Sequence, residues 1–589
     1  MAGFFLSFMK QFFAGMRGGL AAACLMLMLL LAGSAARAQA PAWQSAVAIG
    51  SGNGGSMTVN STAADSNGNL FITGYFSGTV SFGPYSLTSV NTKFDVFVAK
   101  WNTRTNSFAW VQQAGGPDDD IPSQLVVNGA NVYIGGVFLG SSIGFGNLTL
   151  ANSSADFEMF VAKLTDLGSS ATFAWAQRMS GLEGENFKGL AVDGSSLYLV
   201  GSTRSPTLSF GNIVLTNTNP NYSDAFVAKI TDSGSSSSFT WVQPIASASG
   251  FETATDVIVR GAAVYVTGYF QGTTLTCGAT TLVNSSNSLT SDVFIVKLND
   301  AGPTSSFAWA QQTGGPFNEL PSALAISGTN LYLAGYFESM ASFGTLSITS
   351  AGMQDAFVTK LTDAGSTSSF GWVQGVSGSN QEYLSGLAVA GSNVYIAGSF
   401  QSPTASIGSL TLTNTSPSTS DAFVAKLTDA GAGSSVAWAL GAGGAGNDFV
   451  NTLDIIGTSV YASGVTSPPA VFGNLAIAGP AGSRLNFLAA LTDPPLTATT
   501  SPALSGAAFS LAPNPARAST TVQLPALPGM ATATLILLDA LGRMVRTTTV
   551  ALPPAGLRHE FSLAGLAPGL YALQVHVGDA TSVRRLVVE

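Results

Sequence analysis

Histidine is almost missing from this chain of 589 residues: His559 and His576 are the only two, and both lie near the C-terminus. A Ser-His-Asp triad and a histidine-ligated zinc are therefore excluded from everything that precedes them. Cysteine is equally scarce, with Cys24 and Cys277 alone, so no thiolate cage can form either. Charged residues make up 9% of the chain, with a net charge of −9 and no basic stripe. Nucleic acid, which demands clustered Lys and Arg, is excluded as a partner. Beyond the first 40 residues no apolar run approaches the ~20 needed to span a bilayer. Only carboxylate, Tyr, Lys or Arg chemistry remains open. Scarce charge does not mean disorder here, because 46% of the residues are hydrophobic and 67 are Gly, a composition that suits a tightly turned all-β protein with a core.

The N-terminus carries Lys10 and Arg17, then an apolar run from Leu20 to Leu31, then small residues ending in Ala36-Arg37-Ala38-Gln39-Ala40. That order of basic, apolar and small residues is a secretory signal over residues 1–40. Cys24 lies inside the apolar run rather than after it, which favours an ordinary leader residue over a lipid-attachment site. Removal of the leader leaves Cys277 alone, and no intrachain disulfide can form.

What the chain has is repetition. Trp43, Trp110, Trp175, Trp241, Trp309, Trp372 and Trp438 recur about every 66 residues, and an apolar run ending in Gly keeps step with them at Gly74, Gly136, Gly201, Gly268, Gly335, Gly398 and Gly464. Fixed-period repetition of short strands is the signature of propellers and solenoids. The chain after the leader opens on a Trp run without preceding strands, and the last unit runs out at Asp493 without a Trp run. The two ends are complementary halves of one unit. A linear solenoid would want capping repeats instead, so residues 41–49 are expected to supply the last strand of the seventh unit and close a ring, which removes exposed sheet edges.

Residues 319–378 show one unit. Ser322–326, Asn330–337, Asp355–361 and Ser369–374 read as four strands, with turns at Ser327-Gly328-Thr329 and Thr362-Asp363-Ala364-Gly365. Four antiparallel strands make a propeller blade. The unit is about 20 residues longer than a typical blade of ~40–45. The excess carries a Phe-Gly segment (Phe82-Gly83, Phe145-Gly146, Phe210-Gly211, Phe343-Gly344, Phe472-Gly473) that predicts a small β excursion on one face. Asp-Ala-Phe-Val-Ala-Lys-Leu, then Ala-Trp, then Gly-Gly, then Val-Tyr-Ile-Ala-Gly-Ser-Phe resembles the seven-bladed β-propeller repeat called SBBP, found in bacterial surface and secreted proteins. The resemblance covers residues 41–493 and implies a fold without naming a ligand.

A Pro/Thr/Ser-rich linker, residues 494–508, follows. The tail, residues 509–589, reads as a small β-sandwich from its alternating runs and Pro-Gly turns. Leu511-Ala512-Pro513-Asn514-Pro515, then Leu538-Asp539-Ala540-Leu541-Gly542-Arg543, then Pro568-Gly569-Leu570-Tyr571 and a final Arg584-Arg585-Leu586-Val587-Val588 resemble the type A C-terminal sorting domain of the type IX secretion system of Bacteroidetes. That resemblance implies sorting residues at Pro513, Asn514, Pro515, Gly542, Gly569 and Tyr571, the type IX machinery as partner, and release from the cell or attachment to its outer surface.

Acidic residues recur in register. Asp120, Glu185, Glu252, Glu319, Glu382 and Asp448 stand just before the first strand of each unit except the first. At one ring level they would focus negative potential and could hold a hard cation such as Ca2+. The plainer expectation is that each accepts backbone N–H groups in its own turn, and no cofactor is then needed. A second set, Asp95, Glu158, Asp224, Asp292, Asp355 and Asp421, precedes by five residues Lys100, Lys163, Lys229, Lys297, Lys360 and Lys426, with Leu485 and Ala490 in the seventh unit. These are expected to bond turns and to form a solvated edge. Asp166, Asp232, Asp300, Asp363 and Asp429 precede x-Gly and are expected to make Asx turns. Irregular residues carry more functional weight, and the densest group is Arg178, Glu183, Lys188 and Arg204, with Asp118 and Asp119 one unit earlier. Carboxylates beside an Arg could serve glycoside hydrolysis, although solvated loops account for them more simply. The function expected first is non-catalytic binding or adhesion at the surface, to glycan or an envelope protein. A carbohydrate-active hydrolase or lyase, and a structural component of an extracellular layer, are the alternatives.

Overall fold

Short runs of β-branched and aromatic residues, each closed by a Gly-containing turn, give strands of 8 to 10 residues rather than helices. The computed structural model describes residues 40–493 and 509–589, except 53–54, 153, 155, 218, 248, 287–289, 481, 525–531, 540–543, 554–555 and 578–579. The expected leader up to residue 39, the linker 494–508 and Gly542 lie outside the described residues. Two compact units emerge, Ala38–Asp493 and one that carries Pro494–Glu589. Both are all-β.

The larger unit is a β-propeller-like array of four-stranded antiparallel sheets. In the repeat read above, Glu319–Ser327, Asn330–Phe337, Asp355–Asp363 and Ser368–Ser377 pair in sequence order. Gly328, at φ +64°, makes the two-residue turn between the first two, a conformation that an L side chain resists. The third strand is buried along both faces from Asp355 to Leu361, as befits a sheet sandwiched between neighbours. The same order repeats from innermost strands at Ser56–Ala64, Asp120–Asn128, Asn186–Asp193, Glu252–Arg260, Glu382–Ala390 and Phe449–Ile456.

The Phe-Gly segments form the expected excursions. Met340–Phe343 and Leu346–Thr349 are a hairpin, and its first strand pairs with the end of the preceding unit's fourth strand, Thr313 with Phe343 and Gly314 with Ser342. Each hairpin thus reaches back and extends its neighbour. At the N-terminus, Trp43–Ile49 pairs antiparallel with Leu485–Thr492 of the last sheet, and Ser51–Gly52 continues it onto the first hairpin through Ser51 and Ser81. Asn486 fastens the same junction: its Nδ2 donates to Met57 O at 2.7 Å and its Oδ1 accepts from Val59 N at 3.0 Å.

In the smaller unit, one sheet holds Ser510–Ala512, Ser519–Leu524 and Leu557–Ser562, and the other holds Thr532–Leu538, Met544–Ala551, Gly569–Val577 and Ala580–Val588. Val522 and Phe561 from one and Leu535, Leu573 and Leu586 from the other share a buried core. Asn514 pins the last strand, donating from Nδ2 to Arg585 O at 2.6 Å and accepting at Oδ1 from Val587 N at 2.9 Å. The Pro513 carbonyl accepts from Thr520 Oγ1 at 2.8 Å, and Tyr571 OH donates to Ala567 O at 2.9 Å. Gly569 opens the strand that carries Tyr571, and Pro515 leads into Ala516, whose N–H donates to Val587 O at 2.9 Å.

Candidate functional site

The periodic charges hold the units of the array to one another. Asp232, in the turn after a third strand, accepts from three side chains of the preceding unit: Lys163 Nζ at 2.7 Å, Tyr133 OH at 2.7 Å and Trp175 Nε1 at 3.0 Å. It also accepts from Gly234 N at 2.9 Å, the expected Asx turn. Burial acts most strongly on this carboxyl and works to raise its pKa, but the four donors together outweigh it and leave the group below its ordinary value. Asp300, Asp363, Asp429 and Asp493 repeat the arrangement with Lys229, Lys297, Lys360 and Lys426. Asp166 does so with Lys100 and Trp110, where Phe71 replaces the Tyr. The solvated edge expected of these lysines is therefore corrected. Each is buried, and its ammonium reaches across a joint where an unpaired charge would be costly.

Both sets of acids are buried as well, and they meet. Asp120 faces Asp95, and Glu252, Glu319, Glu382 and Asp448 face Asp224, Asp292, Asp355 and Asp421. Burial, with the neighbouring carboxylate adding to it, pushes Asp120 and Glu319 up to about 9, and at Asp120 the Gly116 N–H works against the rise. Burial raises Glu185 and Glu382 to about 7. Gly116 N donates to Asp120 Oδ2 at 2.6 Å and Gly444 N to Asp448 Oδ2 at 2.9 Å, the backbone bonding that was the plainer expectation. Among the described residues no three His, Cys, Asp or Glu side chains gather as metal ligands. The six acids sit at separate joints, not around one point.

The irregular group does not assemble. Arg178 pairs with Glu158 at 3.3 Å, Glu183 is exposed, and Arg204 lies over Gly184. Asp118 takes the ammonium of Lys93 at 2.7 Å, and Asp119 caps Phe94 N at 3.0 Å. Lys188 stands elsewhere, in a cavity that the innermost strands enclose.

That cavity holds about 310 Å3. Every innermost strand breaks its pairing at the same register, and the unpaired residue of each bulge lines the wall: Asn60, Ser123, Lys188, Thr255, Ser322, Ser385 and Asn451. A bulge re-aims a side chain that regular pleating would turn away. Four of them tie the wall together by donating to the next unit: Asn60 to Pro122 O at 2.6 Å, Ser123 to Phe187 O at 2.9 Å, Asn451 to Val59 O at 2.9 Å, and Ser385 to Val450 O. The sector from Lys188 to Ser322 lacks such ties. Among the described residues the Lys188 ammonium has no ion pair or hydrogen bond, and the buried Ser322 hydroxyl has no partner. Lys188 keeps access to water through the mouth, yet the surrounding wall removes much of its hydration and lowers its pKa. Asp256 also lines the cavity, but its oxygens accept from Val257 N and Leu324 N, both at 2.8 Å. Sequence reasoning found Lys188 but missed this wall. The signal was present: six of the seven wall residues stand three places after a periodic acid, and Asn60 stands three places after Met57, which replaces it.

The sequence model of the secretion system C-terminal sorting domain matches residues 510–589. The chain is therefore exported, to a secreted or cell-surface location. Among the described residues no helix is long and apolar enough to cross a membrane, which leaves β-barrels aside. No curated protein matches the chain in sequence. A solved protein of unknown function from Dyadobacter fermentans aligns at 11% identity and TM-score 0.30, over 56% of this chain and 97% of its own. A Trypanosoma rangeli sialidase in complex with sialic acid aligns at 10% identity and TM-score 0.31, over 91% of this chain and 88% of its own. A mutant of that sialidase displaying trans-sialidase activity aligns at 10% and TM-score 0.28, over 79% and 82%. Likenesses this weak assign no activity.

Proposed function

We propose that residues 41–493 form a closed seven-bladed β-propeller of the SBBP kind, exported by type IX machinery through its tail, and that it is a non-catalytic binding module whose ligand enters the central cavity. The seven repeats, the pairing of Trp43–Ile49 with the last sheet and the Asn486 bridge to the first support a closed ring. The observation that carries the binding role is the cavity itself. Its volume suits a small ligand, its wall is polar, and its one ammonium has no partner. The periodic acids are buried at separate joints, where Asp120 and Asp448 accept backbone N–H groups and Glu185 accepts the Thr203 and Ser205 hydroxyls. A glycan array read beside an assay for reducing-end release tests this. Binding without release is expected. Release that is abolished by Glu183→Ala or Asp119→Ala would overturn it in favour of a carbohydrate-active enzyme, and neither binding nor release would favour a structural layer protein.

A further inference from the structure

Three features of the array hold chemistry that the inter-unit lysine bridges do not use: the buried thiol of Cys277, the paired acids at the joints and the cavity sector around Lys188. The thiol is pushed up to about 12 by burial and is an inert core group. The paired acids are closed off from any ligand, each of them buried at its joint. The cavity sector has unused polar capacity that points to a ligand.

Resting on the binding reading above, we propose that the ligand is a small polyhydroxylated carboxylate, the class of hexuronates and aldonates, with Lys188 as its anion anchor. The wall sets this class through two separate properties. First, hydroxyl and amide side chains dominate it, and the Asn60 and Asn451 amides spend their Nδ2 donors on neighbouring strands, which leaves Oδ1 acceptors without a donor among the described residues. A sugar's hydroxyls match such a mixture of donors and acceptors, whereas an apolar ligand would strand them. Second, the wall holds a single free cation. Lys188 takes the one bulge position that is charged, and no carboxylate lies within ion-pair reach of it. An ammonium that faces a polar cavity with no acid in reach gains a charge-assisted hydrogen bond from an incoming carboxylate. Ser322 belongs to the same unbridged sector, and its buried hydroxyl has no partner among the described residues. A second cavity, which shares Gln124, Asp256 and Leu324 with the first, is lined mainly by aliphatic side chains such as Val126, Leu190, Ile258 and Ile326, with Asp454 beside them. It would suit an aliphatic chain, so a fatty carboxylate is the rival that the test must separate.

The test is calorimetric titration of the full secreted chain with glucuronate, gluconate, glucose and octanoate, repeated on Lys188→Met and Lys188→Arg, with thermal unfolding to show that each variant folds. Glucuronate is expected to bind, Lys188→Met to weaken it at least about tenfold, Lys188→Arg to restore much of it, and salt to compete. Glucose that binds as well as glucuronate, with Lys188→Met without effect, would overturn the anion anchor and leave the binding module standing. Octanoate binding in preference to glucuronate would overturn the polyol class alone. Glucuronate and gluconate that both fail to bind would overturn the inference, and the glycan array would still decide the broader reading.

Discussion

Lys163 and Asp232 stand 69 residues apart in the chain and 2.7 Å apart in space, joined across the boundary between one unit and the next. Each side chain is 5% exposed, so neither can fall back on water. Asp232→Ala is expected to cost about 3–5 kcal/mol because it leaves a buried ammonium unpaired. Trp175→Phe, which removes one bond to the same carboxylate, is expected to cost about 1.5–3 kcal/mol. Denaturant unfolding measures both, and a cost below that of Trp175→Phe for the Asp change would refute the bridging role.

The closing junction is built differently. Its joint lacks the acid pair, with Met57 and Leu485 in the two positions, and lacks the Lys, with Ala490 instead. Trp43 Nε1 is buried there without a partner. Asn486 therefore carries much of the polar contact, and Asn486→Ala is expected to lower stability by about 1–3 kcal/mol. Deletion of residues 41–49 strips a strand from the last sheet and is expected to lower the melting temperature of the whole array. A deletion that leaves a single unshifted transition would show that the junction is not part of the cooperative unit.

Stability should fall as pH rises. Glu319 and Asp120 are raised to about 9 and Glu252 to about 8, with burial as the first cause. An acid with a raised folded pKa contributes stability that is fully present below its unfolded value and lost as pH climbs through the folded one. Asp232 has the opposite shift, and its contribution is lost only below about 3.8. The melting temperature is thus expected to decline between about pH 5 and pH 9. Glu319→Gln should flatten that decline, and a profile that rises over this range would contradict the buried-acid geometry.

Passage across the outer membrane should depend on the tail and not on the repeat array. A chain ending at Asp493 is expected to stay within the envelope, and residues 509–589 fused to another leader-bearing protein are expected to carry it outside. Asn514→Ala should weaken the pin on the last strand, lower the tail's own stability and reduce export. Fractionation that finds the truncated chain outside the cell would refute the sorting role.

Much of this was legible in the chain. The strands at Asn330–Phe337 and Asp355–Asp363 follow from alternation and Gly placement within a few residues, which is local information. The hairpins at the Phe-Gly segments follow for the same reason. The periodic acids, lysines and Trp residues were visible too, but as separate sets. Asp95 and Asp120 come together only because successive units pack side by side, and Lys163 finds Asp232 only because the third-strand turn of one unit overlies the strand of its neighbour.

The sequence by itself determined the period, the four-stranded unit, the complementary ends and the sorting tail, since each is written in residue types and spacings that recur along the chain or match a known pattern. Only the tertiary structure decided which charges are paired and that Lys188, among the described residues, is not. Lys100 and Lys188 are both isolated lysines in an apolar strand when read along the chain. Folding places the first 2.6 Å from Asp166 and the second on a cavity wall with no acid to meet it, because a charge's partner is set by contacts between units that no local pattern encodes.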